Sequence, residues 1–246
     1  KDLSLEVANP TEGLVRYDKA ATPLPLAFRL ICVVHGQTPA NERHALQGGR
    51  SNSDIENELS SEGHRQGREG AIQLWKDVGP EIVANPDQFV FLTTPYKRTR
   101  QTAQHLVDVA AHHGVALSLH EEPAAREIDF GSVDGKTMSE ADPEGQAFLR
   151  QYRKGHVWVR PQDGESYLQL MRRAQRFLAQ MNKQYKGKTV VLYGHRDFIL
   201  ALKILQRLPE AESVCRKVVR WRDVPVGRGP PQYFPAWRQR RSSDDE

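Results

Sequence analysis

The feature that most restricts the fold of this chain is a series of short apolar runs separated by longer segments with helical periodicity. The runs cover residues 30–34, 89–92, 115–119 and 189–193. The first two runs are continuously apolar, as is typical of strands buried on both faces. Because the runs alternate with helical segments, we predict an α/β fold, a three-layer sandwich in which a mostly parallel central sheet carries helices on both faces.

The segments between the runs place apolar residues at spacings of three and four, as amphipathic helices do. Capping residues, glycines and prolines indicate where these helices begin and end. We predict helices that start after Ser60 and end at Gly79-Pro80, that follow Pro95, that cover 167–182, and that cover 198–205 with Asp197 as the cap.

The chain of 246 residues divides into one domain and two ends of different composition. Residues 29–215 contain all four apolar runs and form the predicted α/β domain. Residues 1–28 contain three prolines and little periodicity, so we predict an irregular N-terminal arm. Residues 216–246 form a basic tail that contains Pro and Gly, and no internal repeats are evident.

The net charge of +4 lies entirely in that tail. It contains eight Lys or Arg against four Asp or Glu, so the other 215 residues sum to zero. The pI of about 9.1 therefore carries no information on the substrate of the folded domain. Binding of nucleic acid through the tail, which also contains Trp221, Tyr233, Phe234 and Trp237, is a third hypothesis that we do not favour.

Composition gives no sign of a membrane span or a disulfide framework. No run of about 18 apolar residues occurs, and the two cysteines, Cys32 and Cys215, lack the clustered spacing of a zinc site. We interpret Cys32 as a core residue, expect a cytoplasmic location, and take the absence of an initiator Met as a sign of a trimmed N-terminus.

Polar residues follow three of the predicted strands. His35 follows the first, Arg98 lies shortly after the second, and Gly194-His195 follows the fourth. In open α/β sheets, ligands bind beyond the carboxyl ends of the strands. Two imidazoles and a guanidinium at one edge suit a phosphate group, because Arg matches phosphate oxygens and His serves as a nucleophile or proton donor.

Six segments in order resemble the histidine phosphatases, also called the phosphoglycerate mutase-like family, over about residues 29–205. They are Val33-Val34-His35-Gly36-Gln37-Thr38-Pro39-Ala40-Asn41, Leu59-Ser60-Ser61-Glu62-Gly63-His64-Arg65-Gln66, Thr94-Pro95-Tyr96-Lys97-Arg98-Thr99-Arg100-Gln101-Thr102, Arg126-Glu127-Ile128-Asp129-Phe130-Gly131, Gly164-Glu165-Ser166 and Tyr193-Gly194-His195. The resemblance implies a phosphoglycerate mutase-like sandwich.

The resemblance also implies roles for the catalytic residues. His35 would attack phosphorus and form a phosphohistidine, while Arg98 and His195 would hold the phosphoryl oxygens. Glu127 would protonate the leaving alkoxide and later activate water. No metal and no cofactor is expected.

The implied phosphate pocket includes Gly36, Thr38, Asn41 and Gly194. Glu165 has two interpretations, a site residue or a charge favoured by a helix N-terminus.

The sequence departs from the family at Val34, where the family motif has Arg. That Arg would supply a second fork for the phosphate, and the loss of one such contact costs about 10²–10³ in rate. Arg29 lies too far back along the strand to replace it, whereas Arg43, Arg50 and Arg100 could approach from loops.

We expect a phosphomonoester hydrolase that acts on a small phosphorylated metabolite. A weakened or inactive family member that binds a phosphorylated ligand or partner is the alternative that Val34 suggests. A phosphoglycerate mutase is less favoured, because the family's mutases carry a longer insertion than the 32 residues between Gly131 and Gly164. Substrate identity and oligomeric state do not follow from the sequence.

Overall fold

The computed structural model describes residues 5–9, 14–17, 26–48, 55–153, 157–206 and 232–233. Its strands are β1 (Leu5–Asn9), β2 (Leu14–Tyr17), β3 (Arg29–Val34), β4 (Phe89–Thr93), β5 (Leu119–Glu121), β6 (Thr189–Gly194) and β7 (Gln232–Tyr233). A parallel sheet has the order β5-β4-β6-β3-β7, and β1 and β2 form a separate antiparallel pair.

The helices connect these strands. They are α1 (Pro39–Glu42), α2 (Ser61–Ala84), α3 (Lys97–His112), α4 (Pro143–Arg153), α5 (Tyr167–Gln184) and α6 (Arg196–Gln206). Short 3-10 turns cover Pro86–Gln88, Pro123–Ala125 and Gly131–Val133. Within the described residues, no helix has both the length and the apolar character that a membrane span requires.

Helices cover both faces of the sheet, because successive side chains of a strand point to opposite faces. Ile31 and Val33 of β3 belong to the apolar cluster formed with α2 and α3. Leu30, Cys32 and Val34 belong to a second cluster formed with α5 and α6, and burial raises the pKa of the Cys32 thiol to about 12. The predicted α/β sandwich and the core position of Cys32 are confirmed.

One predicted helix end is wrong, since α2 continues through Pro80 to Ala84. An interior proline costs a helix about 3 kcal/mol. Val78 and Ile82, on either side of Pro80, are almost fully buried against the sheet. Burial of each such side chain contributes about 1.5–3 kcal/mol, so tertiary packing outweighs the local breaker.

Other differences concern the edges of the fold. Residues 115–118 are not a strand, because pairing with β4 begins only at Leu119, and the Val115 N–H instead bonds the Ala110 carbonyl at the end of α3. Asp197 lies inside the first turn of α6 rather than before it. Within 1–28, which we predicted as irregular, β1 and β2 pair; most of 216–246 lies outside the described residues.

The N-terminus of α2 packs tightly against the loop that follows β3. The Ser60 hydroxyl accepts a hydrogen bond from the Gly63 N–H and caps the helix. A Cβ atom at Gly63 would lie 1.9 Å from the Gln37 carbonyl oxygen. Only glycine lets α2 approach the Gln37 carbonyl so closely. This contact positions the backbone of the loop that follows His35.

We therefore expect Gly63→Ala to lower the free energy of unfolding by about 3 kcal/mol, the upper part of the range for overpacking. Gly70→Ala in the same helix is the matched control, because its Cβ would have no heavy atom within 4 Å. That variant gains about 0.5–1 kcal/mol, since alanine favours helices more than glycine does. Urea unfolding of both proteins measures the difference, and equal stability would contradict this packing.

Candidate active site

The two histidines lie side by side at the carboxyl edge of the sheet. β3 and β6 are neighbours with Val34 opposite Gly194, and the His35 N–H donates to the Gly194 carbonyl at 3.1 Å. His35 and His195, each directly after its strand, have ring centroids 5.4 Å apart and are almost completely buried. The parallel register therefore produces the predicted juxtaposition.

The tautomer of His35 follows from its contact with its own chain. Its Nδ1 lies 2.7 Å from the Gly36 carbonyl oxygen. Since a carbonyl oxygen only accepts, Nδ1 carries the proton, and in the neutral ring the lone pair lies on Nε2. This is the arrangement that a nucleophilic imidazole needs.

Gly36 holds this carbonyl in place through two close contacts. Its N–H donates to the Thr102 hydroxyl at 3.0 Å, and Thr102 donates to the Arg98 carbonyl at 2.7 Å. A Cβ at Gly36 would lie 2.4 Å from the Gly63 carbonyl oxygen, so the position excludes larger residues. The N-terminal parts of α2 and α3 thus jointly position His35.

A chain of hydroxyl groups orients His195. Its Nε2 lies 2.8 Å from Thr94 Oγ1, which lies 2.8 Å from Thr99 Oγ1. The Thr99 hydroxyl lies 2.7 Å from the Tyr96 carbonyl, which only accepts. Every contact is satisfied when Thr99 donates to this carbonyl, Thr94 donates to Thr99, and His195 donates from Nε2 to Thr94.

Arg98 lies in the first turn of α3 and is fully buried. Its guanidinium carbon is 4.4 Å from the centroid of the Tyr96 ring, which in turn is 4.8 Å from the His195 ring centroid. Tyr96 therefore contacts both a buried cation and one of the two imidazoles. Such a cation stacked on an aromatic ring is held in one orientation.

Glu127 approaches the same edge from a loop. Its Oε1 accepts from the Ile128 and Phe198 N–H groups at 3.0 and 3.1 Å, and its Oε2 accepts from the Asp197 N–H at 3.2 Å. The carboxyl group therefore lies at the start of α6, which begins directly after His195.

The environment of Glu127 favours its protonated form. Burial, together with the negative charge of Asp197, raises the pKa of Glu127 to about 7, although the three backbone N–H groups act in the opposite direction. A carboxyl group with a pKa near neutrality can both donate and accept a proton at working pH.

Two predicted pocket residues have structural contacts. The Thr38 hydroxyl caps α1, and the Asn41 side-chain oxygen accepts from the Thr38 N–H at 3.1 Å, a capping box. Thr38 also donates to Gln47 at 2.8 Å and is fully buried. These contacts position the loop after His35. A role for either side chain toward phosphate stays a prediction.

The two described candidates for a replacement guanidinium, Arg43 and Arg100, both form contacts elsewhere. Val34 is buried in the apolar cluster on the α5 and α6 face. Arg43 is largely exposed and pairs with Glu140, while Arg100 bonds the Pro95 carbonyl and Glu121 at the surface. Arg50 lies outside the described residues.

Glu165 lies at a helix N-terminus, as one of its two interpretations predicted, and a role in the site stays a prediction. It precedes Ser166, which caps α5, and forms a nearly buried ion pair with Arg173. Sequence reasoning also missed Tyr96 and Thr94 as site residues. Both lie in the segment 94–102 that resembles the family, so their closeness to Arg98 in the sequence could have identified them. No sequence feature pointed to Arg173.

Comparisons with known proteins agree with this geometry. The family model described as "Histidine phosphatase superfamily (branch 1)" matches residues 30–212. A metal-independent phosphoserine phosphatase of Arabidopsis thaliana is 28% identical over 185 residues, which is 75% of this chain and 70% of that protein. A mannitol-1-phosphatase of Eimeria tenella is 28% identical over 153 residues, 61% of this chain and 45% of the relative's length.

Solved structures show the same fold. A mycobacterial glucosyl-3-phosphoglycerate phosphatase in complex with VO3 superposes with a TM-score of 0.55 at 24% identity, covering 72% of this chain and 80% of that one. The chain therefore belongs to the histidine phosphatase superfamily, branch 1, and is a phosphomonoester hydrolase of the class that its motifs predicted.

Proposed function

We propose that this protein hydrolyses phosphate esters of small alcohols through a phosphohistidine at His35, without a metal ion. The observation that carries the proposal is the tautomer of His35. Its Nδ1–H is bound to the Gly36 carbonyl 2.7 Å away, which assigns the lone pair of the neutral ring to Nε2. His195 lies beside it, with ring centroids 5.4 Å apart, and Arg98 stacks on Tyr96, which contacts His195; we assign both to the phosphoryl oxygens.

In the first step, the Nε2 lone pair attacks phosphorus while the bond from phosphorus to the ester oxygen breaks. The departing alkoxide takes the proton of Glu127, whose pKa near 7 keeps a protonated fraction available. Arg98 and the imidazolium form of His195, which donates from Nδ1 while its Nε2–H is bound to Thr94, stabilise the charge on the remaining phosphoryl oxygens. The products of this step are the alcohol and the phosphohistidine.

In the second step, water attacks the phosphohistidine. Glu127, now ionised, accepts a proton from that water, the nitrogen–phosphorus bond breaks, and its electron pair returns to Nε2. Inorganic phosphate leaves and the starting state is restored. Glu127 thus acts first as an acid and then as a base.

The substrate class that we propose is a small alkyl phosphate. The named relatives include phosphatases for phosphoserine and for mannitol 1-phosphate, both esters of alcohols. Alcohols leave as strongly basic alkoxides and therefore depend on a proton donor. The protonated Glu127 meets this requirement.

The pH dependence tests this assignment. For an alkyl phosphate, we expect kcat/KM to fall about tenfold per pH unit above pH 7, because loss of the Glu127 proton removes the acid. Glu127→Gln should lower kcat/KM by about 10²–10⁴ at pH 6 and abolish this limb. Initial rates of phosphate release between pH 5 and 9 measure both effects.

The control substrate is p-nitrophenyl phosphate, whose leaving group departs without protonation. Its kcat/KM should change much less in Glu127→Gln. An alkaline limb that persists in this variant would assign the titrating group elsewhere.

The second candidate function is that of a weakened family member that binds a phosphorylated ligand. Val34, buried among apolar side chains where the family motif has Arg, is the observation that favours it. This candidate predicts that inorganic phosphate binds, as measured by calorimetry, while the parent protein hydrolyses neither aryl nor alkyl phosphates. Turnover that depends on His35 rejects it.

A further inference from the structure

Arg173, on α5, uses its whole guanidinium group in contacts around Glu127. Its Nε donates to Glu165 Oε1 at 3.1 Å, and its Nη2 donates to Glu165 Oε2 at 2.8 Å and to the Glu127 carbonyl at 3.1 Å. Its Nη1 donates to the carbonyls of Ala124 and Arg126, both at 2.8 Å. The five N–H groups of the guanidinium thus have five acceptors.

Three of these acceptors are backbone carbonyls of the loop that carries Glu127. The loop is also held on its other side, because the Glu165 N–H donates to the Asp129 carbonyl at 2.7 Å. Arg173 and Glu165 therefore bracket Glu127 from both directions along the chain. We refer to these two residues as the loop clamp.

The loop clamp is nearly buried, with both side chains 11% exposed. In this environment a planar guanidinium that binds a carboxylate with two parallel hydrogen bonds is strongly oriented. Glu165 Oε2 also lies 3.4 Å from Arg126 Nη1, so removing Arg173 would leave Glu165 with only this longer contact to a guanidinium. The orientation of Arg173 thus determines where the three loop carbonyls lie.

A second route connects Arg173 to the Glu127 carboxyl group. The guanidinium carbon lies 5.2 Å from the centroid of the Phe198 ring on α6. The Phe198 N–H is one of the donors to Glu127 Oε1. Arg173 therefore contacts both the backbone that carries Glu127 and the residue that holds its side chain.

We propose that Arg173 is a positioning residue for proton transfer, acting through Glu127 as the second member of the loop clamp with Glu165. This inference rests on the proposed function, in which Glu127 protonates the leaving alkoxide. Catalytic groups that lose their supporting contacts shift by fractions of an ångström, and such displacements reduce rates strongly. Loss of Arg173 lowers the rate of proton transfer, while the phosphate site at His35, Arg98 and His195 stays in place.

The test compares two leaving groups in Arg173→Met. Methionine preserves helix propensity and length but donates no hydrogen bond. We expect kcat/KM for phosphoserine to fall about 30-fold or more, part of the 10²–10⁴ that acid–base catalysis contributes, and kcat/KM for p-nitrophenyl phosphate to change less than about threefold. Rates are normalised to the amount of phosphohistidine formed in a rapid burst, so that unfolded protein does not enter the comparison.

Two further variants keep the test decisive if Arg173→Met folds poorly. Arg173→Lys retains the charge but lacks the planar fork, and we expect it to show the same selective loss. Glu165→Gln leaves Arg173 in contact with the three loop carbonyls. Its kcat/KM for phosphoserine should therefore fall less than that of Arg173→Met. Arg176→Met is the matched control, since Arg176 is exposed three residues farther along the same helix.

A double variant separates a positioning role from a general structural one. If Arg173 acts through Glu127, adding Arg173→Met to Glu127→Gln causes no further loss with phosphoserine. The proposal would be overturned if the losses of kcat/KM in the two single variants multiply in the double variant. It would also be overturned if Arg173→Met lowers kcat/KM equally for both substrates. If Glu127→Gln itself fails to distinguish the two substrates, the acid role of Glu127 in the proposed function fails instead, and the two failures are distinguishable.

Discussion

Replacing His35 with alanine is expected to reduce hydrolysis of aryl and alkyl phosphates alike by about 10⁴-fold or more. The nucleophile is part of the protein, and reactions with a well-oriented internal nucleophile have effective molarities of order 10⁵–10⁸ M. Glu127 cannot rescue either substrate, because proton donation helps only after an attacking nitrogen is present. The loss therefore does not depend on the leaving group, in contrast to the loss in Glu127→Gln.

Phosphate release between pH 5 and 8 measures this loss, and intact mass after an acid-free quench detects a phosphoryl group on the parent alone. His120→Ala is the matched control, because His120 is an exposed histidine on β5. Equal rates in the parent and in His35→Ala would reject the phosphohistidine. In that case the fold would stand and the binding function would become the better description.

Arg98→Lys is expected to lower kcat/KM by about 10²–10³ for both substrates, the range observed when one donor to a developing oxyanion is removed. Lysine keeps the charge but replaces the planar fork with a single ammonium group, and it loses the stacking of the guanidinium on Tyr96. Because Val34 supplies no second fork, this chain depends on Arg98 more than a member with two arginines would.

The control for this variant is Arg100→Lys. Arg100 lies two residues away, is 40% exposed, and pairs with Glu121 at the surface. We expect its kcat/KM to stay within about threefold of the parent, as for a surface ion pair of low energy. A similarly small effect in Arg98→Lys would show that another group binds the phosphate.

Much of the fold followed from local patterns. The runs at 30–34, 89–92 and 189–193 became β3, β4 and β6, because a continuous apolar run can satisfy burial on both faces only in a central strand. The run at 115–119 did not, since its strand begins at Leu119, where β4 first offers a partner. Edge pairing depends on a neighbour that apolar patterning does not encode.

Local breaker rules failed where packing was strong. Pro80 remains inside α2 because Val78 and Ile82 are buried against the sheet. The stabilisation from this burial cannot be read from the residues next to Pro80 in the sequence. The contacts of Glu165 were hidden for a related reason. The partner of Glu165, Arg173, lies on α5 and binds backbone carbonyl groups. Because every residue has a backbone carbonyl, the sequence does not show which ones Arg173 binds.

The sequence by itself determined the family, the parallel sheet and the placement of His35 and His195 at one edge. It could do so because strand ends in a parallel sheet meet regardless of the details of packing. Only the tertiary structure decided the tautomer of His35, the raised pKa of Glu127 and the loop clamp of Arg173 and Glu165. The pKa and the loop clamp depend on burial and on hydrogen bonds between separate segments, and the His35 tautomer depends on a Gly36 residue that α2 and α3 hold in place, so all three exist only after the chain has folded.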